Sequence, residues 1–174
     1  MSDPAKIKVA IERNQKALTL RPSIGRGTAT TVVRVRDGTT CDIEDGKWML
    51  VADESTGDGG GGLGPDPGVF GRAALGSCLA IGYMMWAAVR GVPIDSCEVE
   101  VESDYDASGP YALDDDAPAG WSAMRYTVKI SSPAPESEIQ ELVEWADRHS
   151  SLLWSFSRPI PITRELQVTA TAER

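Results

Sequence analysis

Histidine occurs once in this chain of 174 residues, at His149. That scarcity excludes a multi-histidine metal site within one subunit, and a serine–histidine catalytic triad would have to be built on this residue alone. Cysteine is nearly as rare. Cys41, Cys78 and Cys97 are widely spaced, fit neither a disulfide framework nor a CxxC redox or zinc pattern, and are expected to be reduced thiols. Positive charge is also short, with 17 Lys and Arg against 26 Asp and Glu and a net charge of -9. Nucleic acid and anionic membrane surfaces are thereby excluded as expected partners, because both need clustered cations to release counterions. No apolar run is long enough to read as a membrane span. The opening Met1-Ser2-Asp3-Pro4 passes into charged sequence without the apolar core of a signal peptide, so a cytoplasmic location is expected.

What is present is 41% apolar residues, enough for one domain with a real core over residues 1–174. Residues 1–22 read as an N-terminal amphipathic helix, with Ile7, Ile11, Asn14 and Leu18 on one face and Pro22 ending it. Residues 23–65 read as a strand meander and a glycine-rich loop: strands over 28–36, 39–44 and 47–53 are separated by the turn signals Asp37-Gly38 and Asp45-Gly46. The loop over 55–64 holds six glycines, but it lacks lysine and the GxxxxGK[ST] order of a phosphate-binding loop. It reads as a flexible connector, and no cofactor or metal is expected. Residues 92–174 give an alternating half-buried strand over 96–105, a strand over 124–130, a long helix over 136–149, a short helix or turn over 150–157 and a last strand over 160–170.

Residues 66–91 carry most of the information. Asp66 can cap a helix, Pro67 suits its first position, and Gly91 with Pro93 stops it. From Leu75 to Val89 the residues are apolar or small on every face, the mark of a helix surrounded by protein. Cys78 lies in this stretch. It packs as a small hydrophobe or acts as a thiolate, and the second role needs a cation or hydrogen bonds, because the dipole of its own helix fades within the first turn, about 18 Å away. Arg72 does not supply that cation, since six residues turn it about 240° from Cys78.

The residues resemble a family. Trp48-Met49-Leu50-Val51-Ala52-Asp53-Glu54, the glycine-rich loop, Pro65-Asp66-Pro67, Ala73-Ala74-Leu75-Gly76-Ser77-Cys78-Leu79, Val99-Glu100-Val101, Arg148-His149-Ser150 and Arg158-Pro159-Ile160-Pro161-Ile162 are together similar to the OsmC/Ohr family of osmotically inducible and organic hydroperoxide resistance proteins. The resemblance runs from about Thr28 to Thr171, and the cysteine-helix segment is its specific part. It implies an α+β fold in which antiparallel sheets wrap around central cysteine-bearing helices in an intertwined homodimer. It also implies that Cys78 is the peroxidatic cysteine, attacking the O–O bond of an organic hydroperoxide. Arg36, in Val35-Arg36-Asp37-Gly38, matches the activating arginine, with Arg34 as the alternative; a guanidinium stays charged beside a thiolate and a leaving oxygen.

Two departures shape the expected function. Gly68 stands where the family's peroxidases carry the glutamate that holds the arginine, and Ser150 stands where a resolving cysteine is usual. A serine forms no disulfide, so the expectation is a one-cysteine peroxidase restored by an external thiol reductant. The alternative is a non-catalytic protein of the same fold that binds a small hydrophobic ligand at the dimer interface. His149, at a helix end, either caps the last carbonyls or approaches Cys78 and lowers its pKa. Tyr83, Met84, Met85, Trp86, Trp145, Trp154 and Phe156 are either ordinary core or the lining of an apolar pocket.

Overall fold

The computed structural model describes residues 3–170, so Thr171, the last residue of the resemblance, lies outside the described residues. Local chemistry fixes the element ends. Asp66 accepts the Val69 N–H at 3.1 Å, Pro67 takes the first turn, and Gly91 ends the helix at φ +73°, giving α2 (Pro67–Arg90). Before it come α1 (Pro4–Leu20) and the antiparallel meander β1 (Val32–Asp37), β2 (Thr40–Asp45) and β3 (Trp48–Ala52). Gly38 and Gly46 sit at φ +53° and +56° in its two turns, as the Asp-Gly signals predict. After α2 come the paired strands β4 (Ser96–Tyr105) and β5 (Trp121–Ser131), then α3 (Glu136–Arg148) and α4 (Ser151–Phe156). This is an α+β fold.

The β4–β5 ribbon explains where the core lies. Its residues alternate: Cys97, Val99 and Val101 on one strand and Met124, Tyr126 and Val128 on the other turn inward against α2. The outer face carries Glu98 and Glu100 paired with Lys129, and Glu102 paired with Arg125. Leu75, Leu79 and Tyr83 of α2 and Ala146 of α3 are sealed between these layers, and Ala87, Val92 and Leu142 form a second cluster. Gly76 allows the close approach, since a Cβ there would stand 3.2 Å from Val101. By length and composition α2 could cross a membrane, yet its Leu75–Leu79–Tyr83 stripe is the centre of this core.

Three expectations change in the structure. The ribbon, α3 and α4 cover one side of α2 and α1 only part of the other, leaving Ile81 59% exposed and Met84 and Met85 open as well. The last strand, expected over 160–170, pairs with no other strand among the described residues, although Ile162 and Val168 keep the exposed apolar character of a strand. A strand needs a partner edge to complete its hydrogen bonds, and none of the described sheet edges of this chain is paired with this segment. The meander makes no more than marginal contact with the helices, so Val33, Val35, Trp48 and Met49 remain in water. Thirdly, the glycine-rich loop is organised rather than merely flexible. Ser55 caps a short 3-10 turn over Thr56–Asp58, and the loop folds back so tightly that a Cβ at Gly64 would lie 2.4 Å from the Val51 carbonyl oxygen.

Asp53, at the end of β3, is what that loop wraps around. Its buried carboxylate accepts from the Thr39 and Thr40 hydroxyls at 2.8 and 3.0 Å and from the Glu54, Gly61 and Leu63 amides at 2.8, 3.1 and 3.1 Å. Burial alone would raise its pKa; the donors from Leu63, Thr39, Thr40 and Glu54 outweigh it and bring the pKa down to about 2. Every partner is a donor. An amide group at this position would turn its own N–H groups against backbone N–H groups whichever way it was flipped.

Asp53→Asn is therefore expected to lower the thermal midpoint by roughly 5 °C or more. Because the folded pKa is depressed, the carboxylate's contribution is complete above the ordinary value of 3.8 and is lost as the pH falls through about 2. Circular dichroism melts of both proteins between pH 6 and pH 2 should show the gap between them closing at the acid end.

Candidate functional site

The Cys78 sulfur is half-buried at the contact between α2 and the turn joining α3 to α4. Its neighbours are the Ser150 hydroxyl at 3.5 Å and the Ser151 hydroxyl at 3.7 Å. Ser150 is the N-cap of α4 and accepts the Leu153 N–H at 3.3 Å, which leaves its single hydroxyl proton free to point at the sulfur. The Ser151 and Leu152 amides, at the start of a helix where no carbonyl is available to them, also face it. Burial pushes the thiol pKa up. The hydrogen bonds from Ser150, Leu152 and Ser151 more than offset that, and the net shift is downward. What the site holds is a thiol drawn towards thiolate by hydrogen bonds, with no cation bonded to it among the described residues.

The turn is held in place by Asp147. One carboxylate oxygen accepts from the Tyr83 hydroxyl at 2.7 Å and the other from the Tyr126 hydroxyl at 2.8 Å. Tyr83 is completely buried on α2, and its hydroxyl pKa is raised by burial and by Asp147; burial and Asp147 also push Tyr126 up to about 12. Sequence reasoning missed Asp147. A lone aspartate near the end of an acidic helix reads as a solvated residue, and only the polar hydroxyl of Tyr83 within the apolar Leu75–Leu79 stripe of α2 could have hinted otherwise.

The other expected site residues lie elsewhere in the chain. Arg36 sits at an irregularity in the β1–β2 pairing, between Val35 and Asp37, and pairs with Asp42 at 3.6 Å; Arg34 pairs with Glu44 at 2.8 Å. No hydrogen bond or ion pair among the described residues brings either to Cys78. His149 caps α3: Nδ1 lies 2.7 Å from the Trp145 carbonyl oxygen and so carries the proton, and its ring stacks on Trp145 with centroids 4.4 Å apart. Its side chain is exposed and has no hydrogen bond to the sulfur, although Ser150, its neighbour in sequence, does contact it. A Cβ at Gly68 would stand 2.8 Å from the Asp66 carboxylate and 3.3 Å from the Arg72 guanidinium, which bonds Ser103.

The aromatic residues divide. Tyr83 is core, Trp86 meets Trp145 edge to face, and Trp154 is exposed under Arg158. Phe156 joins Leu75, Trp121, Met124 and Leu153 around an apolar cavity of about 430 Å³, one helical turn from Cys78 along α2. A second apolar groove of about 740 Å³ runs between α1 and α2, lined by Ile7, Ile81, Met84 and Met85.

A family model described as OsmC-like protein matches residues 58–165, which include α2, the β4–β5 ribbon, α3 and α4. The chain belongs to the OsmC-like protein family. Its fold is shared by an OsmC-like protein from Mycoplasma pneumoniae at 13% identity, with a TM-score of 0.65 over 75% of this chain and 88% of that one. The organic hydroperoxide resistance protein OsmC from Legionella pneumophila is 16% identical, with a TM-score of 0.54 over 75% and 91% of the two chains. An OsmC-like hydroperoxide resistance protein from Jannaschia sp. CCS1 is 21% identical, with a TM-score of 0.51 over 81% and 92%. No curated protein sequence matches the chain. At these identities the structural likeness establishes the OsmC-like fold and leaves the activity of this member to its own residues.

Ser150→Ala removes one hydroxyl from the sulfur and the cap from α4. The Cys78 thiol pKa should rise, and alkylation of Cys78 by iodoacetamide at pH 7 should slow about two- to tenfold, as the loss of one hydrogen bond to a thiolate implies. Ser151→Ala should act in the same direction and less strongly. Peptide mass spectrometry separates Cys78 from Cys41 and Cys97.

Proposed function

We propose that this OsmC-like protein is a one-cysteine thiol peroxidase that reduces organic hydroperoxides, works as a homodimer in the cytoplasm and is restored by an external thiol. The observation that carries this reading is the half-exposed Cys78 sulfur, biased towards thiolate by the Ser150 and Ser151 hydroxyls and the adjacent amides. The thiolate attacks one oxygen of the O–O bond. That bond breaks, the other oxygen leaves as the alcohol after taking up a proton, and the sulfur becomes a sulfenic acid. An external thiol then displaces water to form a mixed disulfide, and a second thiol releases the Cys78 thiol and leaves with the first as a disulfide. Ser150 lies against Cys78, where a resolving thiol would need to stand, and it cannot form that bond. The cavity around Leu75, Met124 and Phe156 suits the hydrocarbon part of such a substrate.

The dimer supplies what one chain lacks. The open side of α2, the apolar meander and the unpaired segment 160–170 are all surfaces that a second copy would cover. Arg36 then acts across the interface: its guanidinium, carried at the irregular end of β1, stabilises the departing oxygen at the Cys78 of the other copy. His149 is assigned the structural role its bond to Trp145 supports. A second reading, a binder of small hydrophobic ligands, is favoured by the apolar groove between α1 and α2.

Stopped-flow oxidation of the reduced protein by cumene hydroperoxide and by hydrogen peroxide, with a dimedone trap, tests the chemistry. Fast oxidation favouring the organic peroxide and abolished in Cys78→Ser is expected; oxidation no faster than that of a free thiol overturns the peroxidase and leaves the binder. Arg36→Gln should slow the reaction by about 10²-fold, the scale of losing one group that stabilises developing negative charge. Sedimentation should give twice the chain mass, and a monomer would remove the role of Arg36 in trans.

A further inference from the structure

We propose that Asp147 is a positioning residue for the Cys78 thiol: its carboxylate, gripped by Tyr83 of α2 and Tyr126 of β5, fixes the α3–α4 turn so that Ser150 and Ser151 stand against the sulfur. The inference rests on Cys78 being the reactive thiol, but it is read on the thiol and not on turnover.

The geometry is a two-point registration between two rigid pieces. Cys78 and Tyr83 are both on α2, five residues apart, so their separation is fixed by the helix. Asp147 closes the last turn of α3 and Ser150 is the N-cap of α4, and the main-chain carbonyl of Asp147 accepts the Ser150 N–H at 3.2 Å. Tyr83 to Asp147 at 2.7 Å is therefore one point of contact and Cys78 to Ser150 at 3.5 Å the other. Tyr126, at 2.8 Å on the second carboxylate oxygen, ties the same residue to the β4–β5 ribbon and removes the freedom of the carboxylate to swing. Only Arg148 and His149 separate anchor and contact, too few to absorb a displacement.

The carboxylate is needed, not merely a polar group. Tyr83 is 0% exposed, so its hydroxyl proton has no water to turn to. A carboxylate accepts from both tyrosines at once, whereas an amide presents one acceptor and a pair of N–H groups. The titratable groups that face Asp147 from the packed elements are Tyr83 and Tyr126, with Cys97 of β4 near Tyr83. On the other side Arg148 and His149 turn to Trp145, and no ion pair to Asp147 occurs among the described residues. Apart from the Tyr83–Asp147 bond and the long contacts of Ser150 and Ser151 with the sulfur itself, at 3.5 and 3.7 Å, no side-chain hydrogen bond among the described residues ties residues 147–151 to α2.

The test is the Cys78 thiol pKa, followed through the pH dependence of iodoacetamide alkylation in wild type, Asp147→Asn, Tyr126→Phe and Leu142→Ala. Leu142 is fully buried on the same helix but does not bond the turn, so its variant reports what plain loss of packing does. Asp147→Asn is expected to raise the thiol pKa and slow Cys78 alkylation at pH 7 about two- to fivefold, Tyr126→Phe less, and Leu142→Ala not at all despite its lower thermal midpoint. An unchanged thiol pKa in folded Asp147→Asn overturns the proposal, as does an equal effect in Leu142→Ala. If Asp147→Asn does not fold, Tyr126→Phe carries the comparison, and an unchanged thiol there overturns it equally. A wild-type protein that ignores peroxides would defeat the peroxidase reading and leave this result standing.

Discussion

A helix that is apolar around its whole circumference demands cover on every side, and this constraint organises the rest of the chain. α2 receives cover from the β4–β5 ribbon and from α3 and α4 on the face that carries Leu75, Leu79 and Tyr83. On the other side it has α1 and then open groove. Burial of large apolar side chains is worth about 1.5–3 kcal/mol each, so exposed Ile81, Met84 and Met85 represent stabilisation that one chain leaves unrealised. The same holds for the meander, whose Trp48 and Met49 face water. Under the proposed dimer these separate surfaces have one common explanation.

At the centre, the Cys78 thiol is drawn towards thiolate by hydrogen-bond donors and not by a neighbouring charge. Burial works against the thiolate, and the two serine hydroxyls with the first amides of α4 work for it, with the second effect larger. The α4 start is not an independent device. Ser150 is at once its N-cap and a neighbour of the sulfur, so the element that presents the donors is stabilised by a residue that is itself one of them. Asp53 illustrates the same principle at the other end of the chain, where a ring of donors organises a loop around one carboxylate.

Much of the fold was legible because its signals are local. The Asp66 cap, the Gly91 stop and the two Asp-Gly turns act within a few residues, and each lies where the sequence implies. The alternation of 96–105 correctly gave a half-buried strand for the same reason. The segment 160–170 has a strand's pattern, but pattern specifies only which side is apolar; a ladder also needs a partner edge, and this segment pairs with none among the described residues. The glycines of 57–64 read as flexibility because sequence does not reveal close approach, which is what Gly64 serves against Val51.

The site divides along the same line. The sequence by itself determined that Cys78 lies in a capped apolar helix, that a serine and not a cysteine stands at position 150, and that one subunit cannot gather several histidines around a metal, since each of these depends on residue type and near neighbours. Only the tertiary structure decided that Ser150, 72 residues away, would touch the sulfur, that Asp147 would bind two tyrosines from different elements, and that Arg36 would ride on a sheet apart from its own thiol. Hydrogen bonds act over about 3 Å and only along favourable directions. Which distant groups come within that range is fixed by how the layers pack, and no local pattern encodes it.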